Sequence, residues 1–349
     1  MTDPVSPSLA AWLDRRIGPE GPWHLEPLTG GNSNDTGLLC GASSRYVMRR
    51  PPRHALSTSA HSVSREYRLL TALWGTAVPV PRPVALCEDP GPSGVPFMVM
   101  EYIPDARSIT DALPRTWSAH PDALTAAADD LVDALVATHR VDWAAVGLSG
   151  FGRPEGFLER QPGRWFSQWE KIACRPLPAM VPLAEWLVAN RPATSAVGLL
   201  HGDFHLDNCL FAADRPRVKA VIDWEMATVG DPLLDLGLLL ALWGERRVDC
   251  GMPAIQAVSR APCAPPREHL LERYERGVGR SVPDVGYYRV LALFKLASIV
   301  ESAYAQFRSG RLDTPYAAAL EQAVPALLDE ALETATSTHT TRRGDCRER

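Results

Sequence analysis

The chain changes its hydrophobic rhythm once, and that change limits the fold more than any other feature. Up to about residue 103 the apolar residues come in short runs broken by Gly, Pro, Asn, Asp and Ser, the pattern of strands joined by turns. "WHLEPLTGGNSNDTGLLCGASSRYVMRR" (23–50) holds two apolar runs around a polar turn, a second turn at Gly41 to Ser44, and a strand at Tyr46 to Arg49. This spacing predicts an antiparallel meander. After Pro51-Pro52, Val63, Tyr67, Leu70 and Leu73 recur near helical spacing, with Ser or Thr to cap and Gly75 to close. "VPVPRPVALCED" and "PFMVMEYIP" predict two more strands. From about 121 the pattern becomes long and amphipathic, as in "PDALTAAADDLVDALVATHRV", "PEGFLERQPGRWFSQWEKIA", "PLAEWLVANRP", "YYRVLALFKLASIVESAYAQF" and "YAAALEQAVPALLDEALE". These are helices, interrupted once by a polar loop and the strand "RVKAVIDWE". The expected fold is α+β and bilobal: a small antiparallel sheet with one main helix over 1–103, and a larger, mostly helical lobe over 104–333. Pro-rich 261–267 reads as a surface loop, and the tail, 334–349, has no apolar period and predicts disorder.

Composition narrows the function classes. With 349 residues, 46% of them hydrophobic, the chain can bury a sizeable core. The opening "MTDPVSPSLAAWLDRRIGPEG" lacks the basic-then-apolar order of a secretory signal, and no later run looks long and charge-free enough for a bilayer. A cytoplasmic protein without a membrane partner is expected. Seven scattered Cys without a Cys-x-x-Cys pair point to reduced thiols rather than a disulfide framework or a zinc site. A net charge of −5 without a basic cluster argues against a nucleic-acid partner. Residues 1–103 carry 9 basic and 9 acidic residues, against 23 and 30 in 104–333, which favours a neutral or cationic substrate in the second segment.

The interrupting loop, "LLHGDFHLDNCLF" (199–211), sets a His, Asp and Asn cluster between apolar ends, and Asp223 ends a strand fifteen residues after Asn208. Leu199, Leu200, Leu210 and Phe211 would anchor such a loop in the core and fix its polar centre at a cleft. An Asn oxygen and an Asp carboxylate are hard ligands suited to Mg2+ beside phosphates. A free carboxylate nearby can accept a hydroxyl proton, and phosphoryl transfer needs little beyond positioning and charge neutralisation. The same residue types also cap helices and make turns in many loops.

The ordered set "HGDFHLDN", "VIDWE" and "GDPLLDLG" resembles the signature of the aminoglycoside phosphotransferase and choline kinase family, small-molecule kinases of protein-kinase-like fold. The resemblance covers almost the whole chain. It implies Asp203 as catalytic base, and Asn208 and Asp223 as magnesium ligands. His201, His205 and Asp235 would support the catalytic loop, Asp231 would cap a helix, and Glu225 would either touch the metal through water or make a local salt bridge. "LTGGNSNDTG" matches the family's loop over the nucleotide phosphates, here Gly31, Asn32, Ser33 and Asn34, although such a run is also an ordinary hairpin turn. Glu101, Tyr102 and Ile103 match the segment that meets the adenine edge, and Glu66 the partner of a phosphate-binding lysine.

The sequence departs from the family at that lysine, where the strand reads "YVMRR". Strand alternation places Val47 and Arg49 on the nucleotide face, with Arg50 turned away. Arg can hold phosphate in a fork, but it does not replace Lys in reach, so a nucleotide-binding regulatory pseudokinase stands as an alternative. "YVMRRPP", "SREYRLL" and "FGRPEGFLERQPGRWFSQWEK" resemble most the branch linked to acyl-CoA dehydrogenases and its bacterial single-domain relatives. The resemblance implies an ATP- and Mg2+-dependent O-phosphotransferase, monomeric or homodimeric, acting on a hydroxyl of a small molecule such as an antibiotic or metabolite, with a hydroxyacyl-CoA or hydroxy acid as the alternative acceptor. Trp165, Phe166 and Trp169 either line the acceptor pocket or belong to the core.

Overall fold

A computed structural model of the chain describes residues 3–28, 35–51, 60–193, 195–244 and 255–345. The first lobe contains β1 (Asp3–Pro4), α1 (Pro7–Arg16), β2 (His24–Pro27), β3 (Asp35–Cys40), β4 (Arg45–Arg50), α2 (Ala60–Leu73), β5 (Pro83–Cys87) and β6 (Phe97–Glu101). Its strands form one antiparallel sheet in the order β1-β2-β3-β4-β6-β5. The turn at residues 41–44 closes with Gly41 N donating to Ser44 O at 2.9 Å.

Helix α1 was not anticipated. Its signals are local: the Ser6 hydroxyl accepts from the Leu9 amide at 3.2 Å, Pro7 occupies the first turn, and Leu9, Trp12 and Leu13 fall on one face. That face packs with Leu39, Met48, Phe97 and Val99, the side of the sheet away from α2. Alternation along β4 then decides the rest. Met48 belongs to the α1 side, which leaves Val47 and Arg49 on the side facing the second lobe.

The second lobe continues with β7 (Ala106–Arg107), α3 (Ala123–His139), α4 (Phe157–Ile172), α5 (Met180–Ala189), β8 (Gly198–Leu200), β9 (Cys209–Ala212), β10 (Val218–Val221), β11 (Thr228–Gly230), α6 (Leu233–Leu242), α7 (Arg267–Val278), α8 (Val285–Arg308) and α9 (Pro315–Asp345). Two small antiparallel ladders, β10-β9-β7 and β11-β8, carry the polar loop. One apolar core runs from α2 and β6 into α3, α6 and α7, and a second joins α4, α5, α6, α8 and α9. Helices α6 and α8 approach closely because Gly237 has no Cβ to collide with the Tyr288 carbonyl.

Two expectations need correction. Helix α8, 24 residues with a mean hydropathy of 1.3 in its most apolar window, is long and apolar enough by composition to cross a membrane. Here it is a core helix packed by α4, α6 and α9, with Lys295 and Glu301 buried along it. The final helix also runs to Asp345, past the point where an apolar period ends. Once Leu320, Val324, Leu327 and Leu328 fix its first turns against α8, each further residue adds one backbone bond at little cost. The Thr334, Ser337 and Thr338 hydroxyls bond back to carbonyls three or four residues earlier.

Candidate active site

The polar loop leaves β8 at Leu200 and is held from beneath by Asp235 of α6. The Asp235 carboxylate accepts from two successive amides, His201 N at 2.6 Å and Gly202 N at 2.8 Å. Gly202 has φ +87, and a Cβ there would collide with the Met226 carbonyl, so the turn requires glycine. His201 is buried, and both ring nitrogens are engaged: Nδ1 accepts from the Asp203 amide at 3.2 Å, and Nε2 donates to the Ile222 carbonyl at 2.9 Å. Those partners fix the neutral tautomer, and burial pushes the ring below its ordinary pKa. His201 is therefore a brace with no nitrogen left to act as a base. Phe204, Leu206 and Phe211 anchor the loop with Leu199 and Leu200. Leu210, expected as an anchor, instead lines the cleft between the lobes.

Asp203 presents its carboxylate at the loop's open side, with 40% of the side chain exposed. Burial of part of the group opposes its charge, but the His205 ring and the charge of Lys295 hold it well below the usual carboxylate range. The Asn208 amide nitrogen donates to the Asp203 carbonyl at 2.9 Å and to its carboxylate at 3.2 Å. Asn208 Oδ1 is thereby left as the free acceptor of that side chain. His205 stands between two carboxylates, with Nε2 3.5 Å from Asp203 and Nδ1 3.3 Å from Asp207. Asp231 receives the Leu233 amide at 3.1 Å, Ser195 at 2.8 Å and Tyr288 at 2.8 Å, which fastens the start of α6 to α8.

A cleft of ≈ 350 Å³ lies between the lobes. Val47 and Met100 bound it from the sheet, Leu210 and Ile222 from the second lobe, and Glu101, Tyr102 and Ile103 at the connection. Arg49, Asn208 and Asp223 converge at its polar end. Asp223 adopts a left-handed backbone, φ 65, of the kind that concentrates at functional sites. The Arg49 guanidinium is only 6% exposed and meets three carboxylates: Glu66 at 3.0 Å, Asp223, and Glu225 at 3.3 Å. Burial alone would lower its pKa, but those three charges raise it. Burial also drives Glu66 up to about 7 against the pull of Arg49. Arg50 points the other way and pairs with Asp35 at 2.7 Å.

The structure thus brings together Asp203, Asn208, Asp223, Arg49 and Glu66, with Glu101, Tyr102 and Ile103 at the same cleft. Gly31, Asn32, Ser33 and Asn34 lie outside the described residues. Trp165 belongs to the second core, with Phe166 and Trp169 packed against it. Sequence reasoning missed two residues. Gln256, in the left-handed region at φ 57, accepts the Leu206 amide at 2.8 Å and ties the loop to Leu239 O at 3.2 Å. Lys295 of α8 donates to the Gly202 carbonyl. Its signal was present as a lone cation inside the apolar run "VLALFKLASIV".

Residues 24–294 match the family model of a phosphotransferase enzyme family. The chain belongs to that family. It is 32% identical to acyl-CoA dehydrogenase family member 11 of Gallus gallus over 321 residues, which cover 90% of this chain and 41% of that protein. The chain spans about two fifths of the length of such curated relatives. A Ralstonia eutropha structure solved as a candidate aminoglycoside phosphotransferase is 30% identical, covers 97% of this chain and 99% of its own, and superposes with a TM-score of 0.81. The streptomycin–ATP–APH(2")-IIa ternary complex shares the fold at 19% identity and a TM-score of 0.58, covering 94% and 97%. This family membership accounts for the sheet-plus-helices architecture, a kinase-like aminoglycoside phosphotransferase fold.

Proposed function

We propose that the protein is an ATP- and Mg2+-dependent O-phosphotransferase acting on an alcohol of a small molecule. The observation that carries the reading is the convergence of Arg49, Asn208 and Asp223 at the polar end of an apolar interlobe slot, with Asp203 bonded to Asn208 and Glu66 to Arg49. The slot between Val47 and Met100 above, and Leu210 and Ile222 below, suits a flat purine, and Arg49 suits its phosphates. Asn208 Oδ1 and the Asp223 carboxylate are hard oxygen donors on one side of the cleft, a set that fits Mg2+ completed by phosphate oxygens. Bound there, Mg2+ would neutralise charge on the β- and γ-phosphates.

Asp203 then orients the acceptor hydroxyl and takes its proton as the oxygen attacks the γ-phosphorus. The new O–P bond forms, the bond from that phosphorus to the bridging oxygen breaks, and ADP leaves. Two leads guide the search for the acceptor. A fold neighbour holds streptomycin with ATP, and the curated relatives carry the name of acyl-CoA dehydrogenases. ADP release should be screened against aminoglycosides, nucleoside and peptide antibiotics, choline, hydroxy acids and hydroxyacyl-CoA thioesters. Phosphorylated product with one class, abolished in Asp203→Asn, is the expected result. Mg-ATP binding without product or ADP release from any of them would favour the pseudokinase alternative.

A further inference from the structure

Lys295 stands mid-way along a mostly apolar helix with 7% of its surface exposed, and a buried ammonium is costly without compensating partners. Among the described residues its hydrogen-bond acceptor is the Gly202 carbonyl, and its Nζ lies 5.6 Å from the centre of the Trp165 ring. The Gly202 carbonyl and the Asp203 amide belong to one peptide plane. That plane is gripped at both ends, the carbonyl by Lys295 and the amide by His201 Nδ1 at 3.2 Å. The preceding plane is gripped as well, since the Gly202 amide donates to Asp235. A plane held in this way sets the direction in which Asp203 leaves the backbone. A neutral donor would suffice to tie one carbonyl. The ammonium in addition places a positive charge near Asp203 and Asp235, on the helical side of the loop and outside the nucleotide cleft.

We propose that Lys295 is a positioning residue for phosphoryl transfer: it clamps the Gly202–Asp203 peptide and sets a positive charge behind the base, which keeps the Asp203 carboxylate aimed at the acceptor. The inference rests on the phosphotransferase reading. Such a residue acts on turnover and leaves nucleotide affinity alone, because Arg49, Asn208 and Asp223 are untouched.

Three substitutions separate its parts. Lys295→Met removes donor and charge, Lys295→Gln keeps a donor only, and Lys295→Arg keeps both. Turnover is read as ADP release, with water as acceptor where no better one is known, and affinity is read by titration with a fluorescent ATP analogue and Mg2+. Lys295→Met and Lys295→Gln should lose at least tenfold in kcat with KM for ATP and analogue affinity within twofold of wild type. Lys295→Arg should recover several-fold over Lys295→Met, at a melting temperature that marks all three as folded. Wild-type turnover in Lys295→Gln would overturn the role of the charge. Parallel loss of analogue affinity and turnover, or an arginine variant that folds yet performs no better than methionine, would overturn the positioning role. A wild-type protein that neither binds nor hydrolyses ATP sinks the phosphotransferase reading itself and this inference with it.

Discussion

In the proposed reading Arg49 takes the place of the family's usual lysine, and its three carboxylate partners show what the exchange entails. Its fork reaches Glu66 with one nitrogen and the Asp223–Glu225 pair with the other, so one side chain spans the proposed phosphate and metal sides of the site. Arg49→Ala should therefore raise KM for ATP and lower turnover together. The Arg49→Ala, Glu66→Ala double variant should lose much less than the sum of the two single losses, because both residues serve one interaction. Arg49→Lys should recover much of the activity. Arg50→Ala should change stability by at most ~1 kcal/mol and activity hardly at all, since it points away from the cleft to an exposed partner, Asp35. The reverse ranking in a steady-state comparison would overturn the assignment of Arg49 to the phosphates. Asp203→Ala should cost at least ~100-fold in kcat with ATP affinity nearly intact. Equal loss of nucleotide binding would remove Asp203 from the role of base. Asp223→Ala should weaken Mg-ATP binding more than Asn208→Ala, a carboxylate giving charge where an amide gives only a dipole. Titrating nucleotide with and without Mg2+ decides between them.

At the scale of elements, the catalytic loop was legible where local chemistry decides and illegible where distant elements do. The β4 alternation gave the directions of Arg49 and Arg50 because a strand has a period of two. The turn at Gly41 to Ser44 and the α8 helix were readable for the same local reasons. Gln256 and Lys295 were not, since each reaches the loop from 50 and 93 residues away in sequence. Leu210 was misread because its face depends on how β9 lies against the cleft, which no run of apolar residues encodes. His205 gives this loop a measurable pH signature. Burial opposes its charge, but the neighbouring Asp203 and Asp207 carboxylates raise it to about 9 from an ordinary 6.5. The folded protein thus binds a proton that the unfolded chain releases, and that stability is full below pH 6.5 and lost as pH rises through 9. Thermal melts without divalent cations should fall more steeply across that window in wild type than in His205→Gln. Parallel curves would show that the imidazolium is not held by its two carboxylates.

At the scale of the molecule, α2 is the part that makes two lobes act as one. On one face Glu66 holds Arg49 in the sheet. At the neighbouring position, the Arg65 guanidinium donates to the Ala227 carbonyl at 3.0 Å and the Phe151 carbonyl at 2.5 Å, and lies 3.6 Å over the Phe151 ring. Ala227 follows the Asp223–Glu225 segment by two residues, so a single helix links Arg49 in one lobe to the segment of the proposed metal ligand Asp223 in the other. Arg68 makes a similar pair of bonds, to Gly147 at 2.8 Å and Ser149 at 3.0 Å, but in an exposed position. The apolar core beneath α2 runs on into α3 and α6, which keeps the lobes joined even when one tie is cut. Arg65→Ala should therefore leave the protein folded while letting the cleft widen. Losing a charged hydrogen bond of ~1.5–3 kcal/mol corresponds to roughly tenfold to a hundredfold weaker ATP binding if the whole effect falls on the closed cleft. Arg68→Ala, screened by water, should stay within about twofold. Nucleotide titration of both variants, beside melting curves that remain a single transition, makes the comparison. If Arg65→Ala binds Mg-ATP like wild type, the lobes are set by the shared core alone, and α2 serves the site only through Glu66.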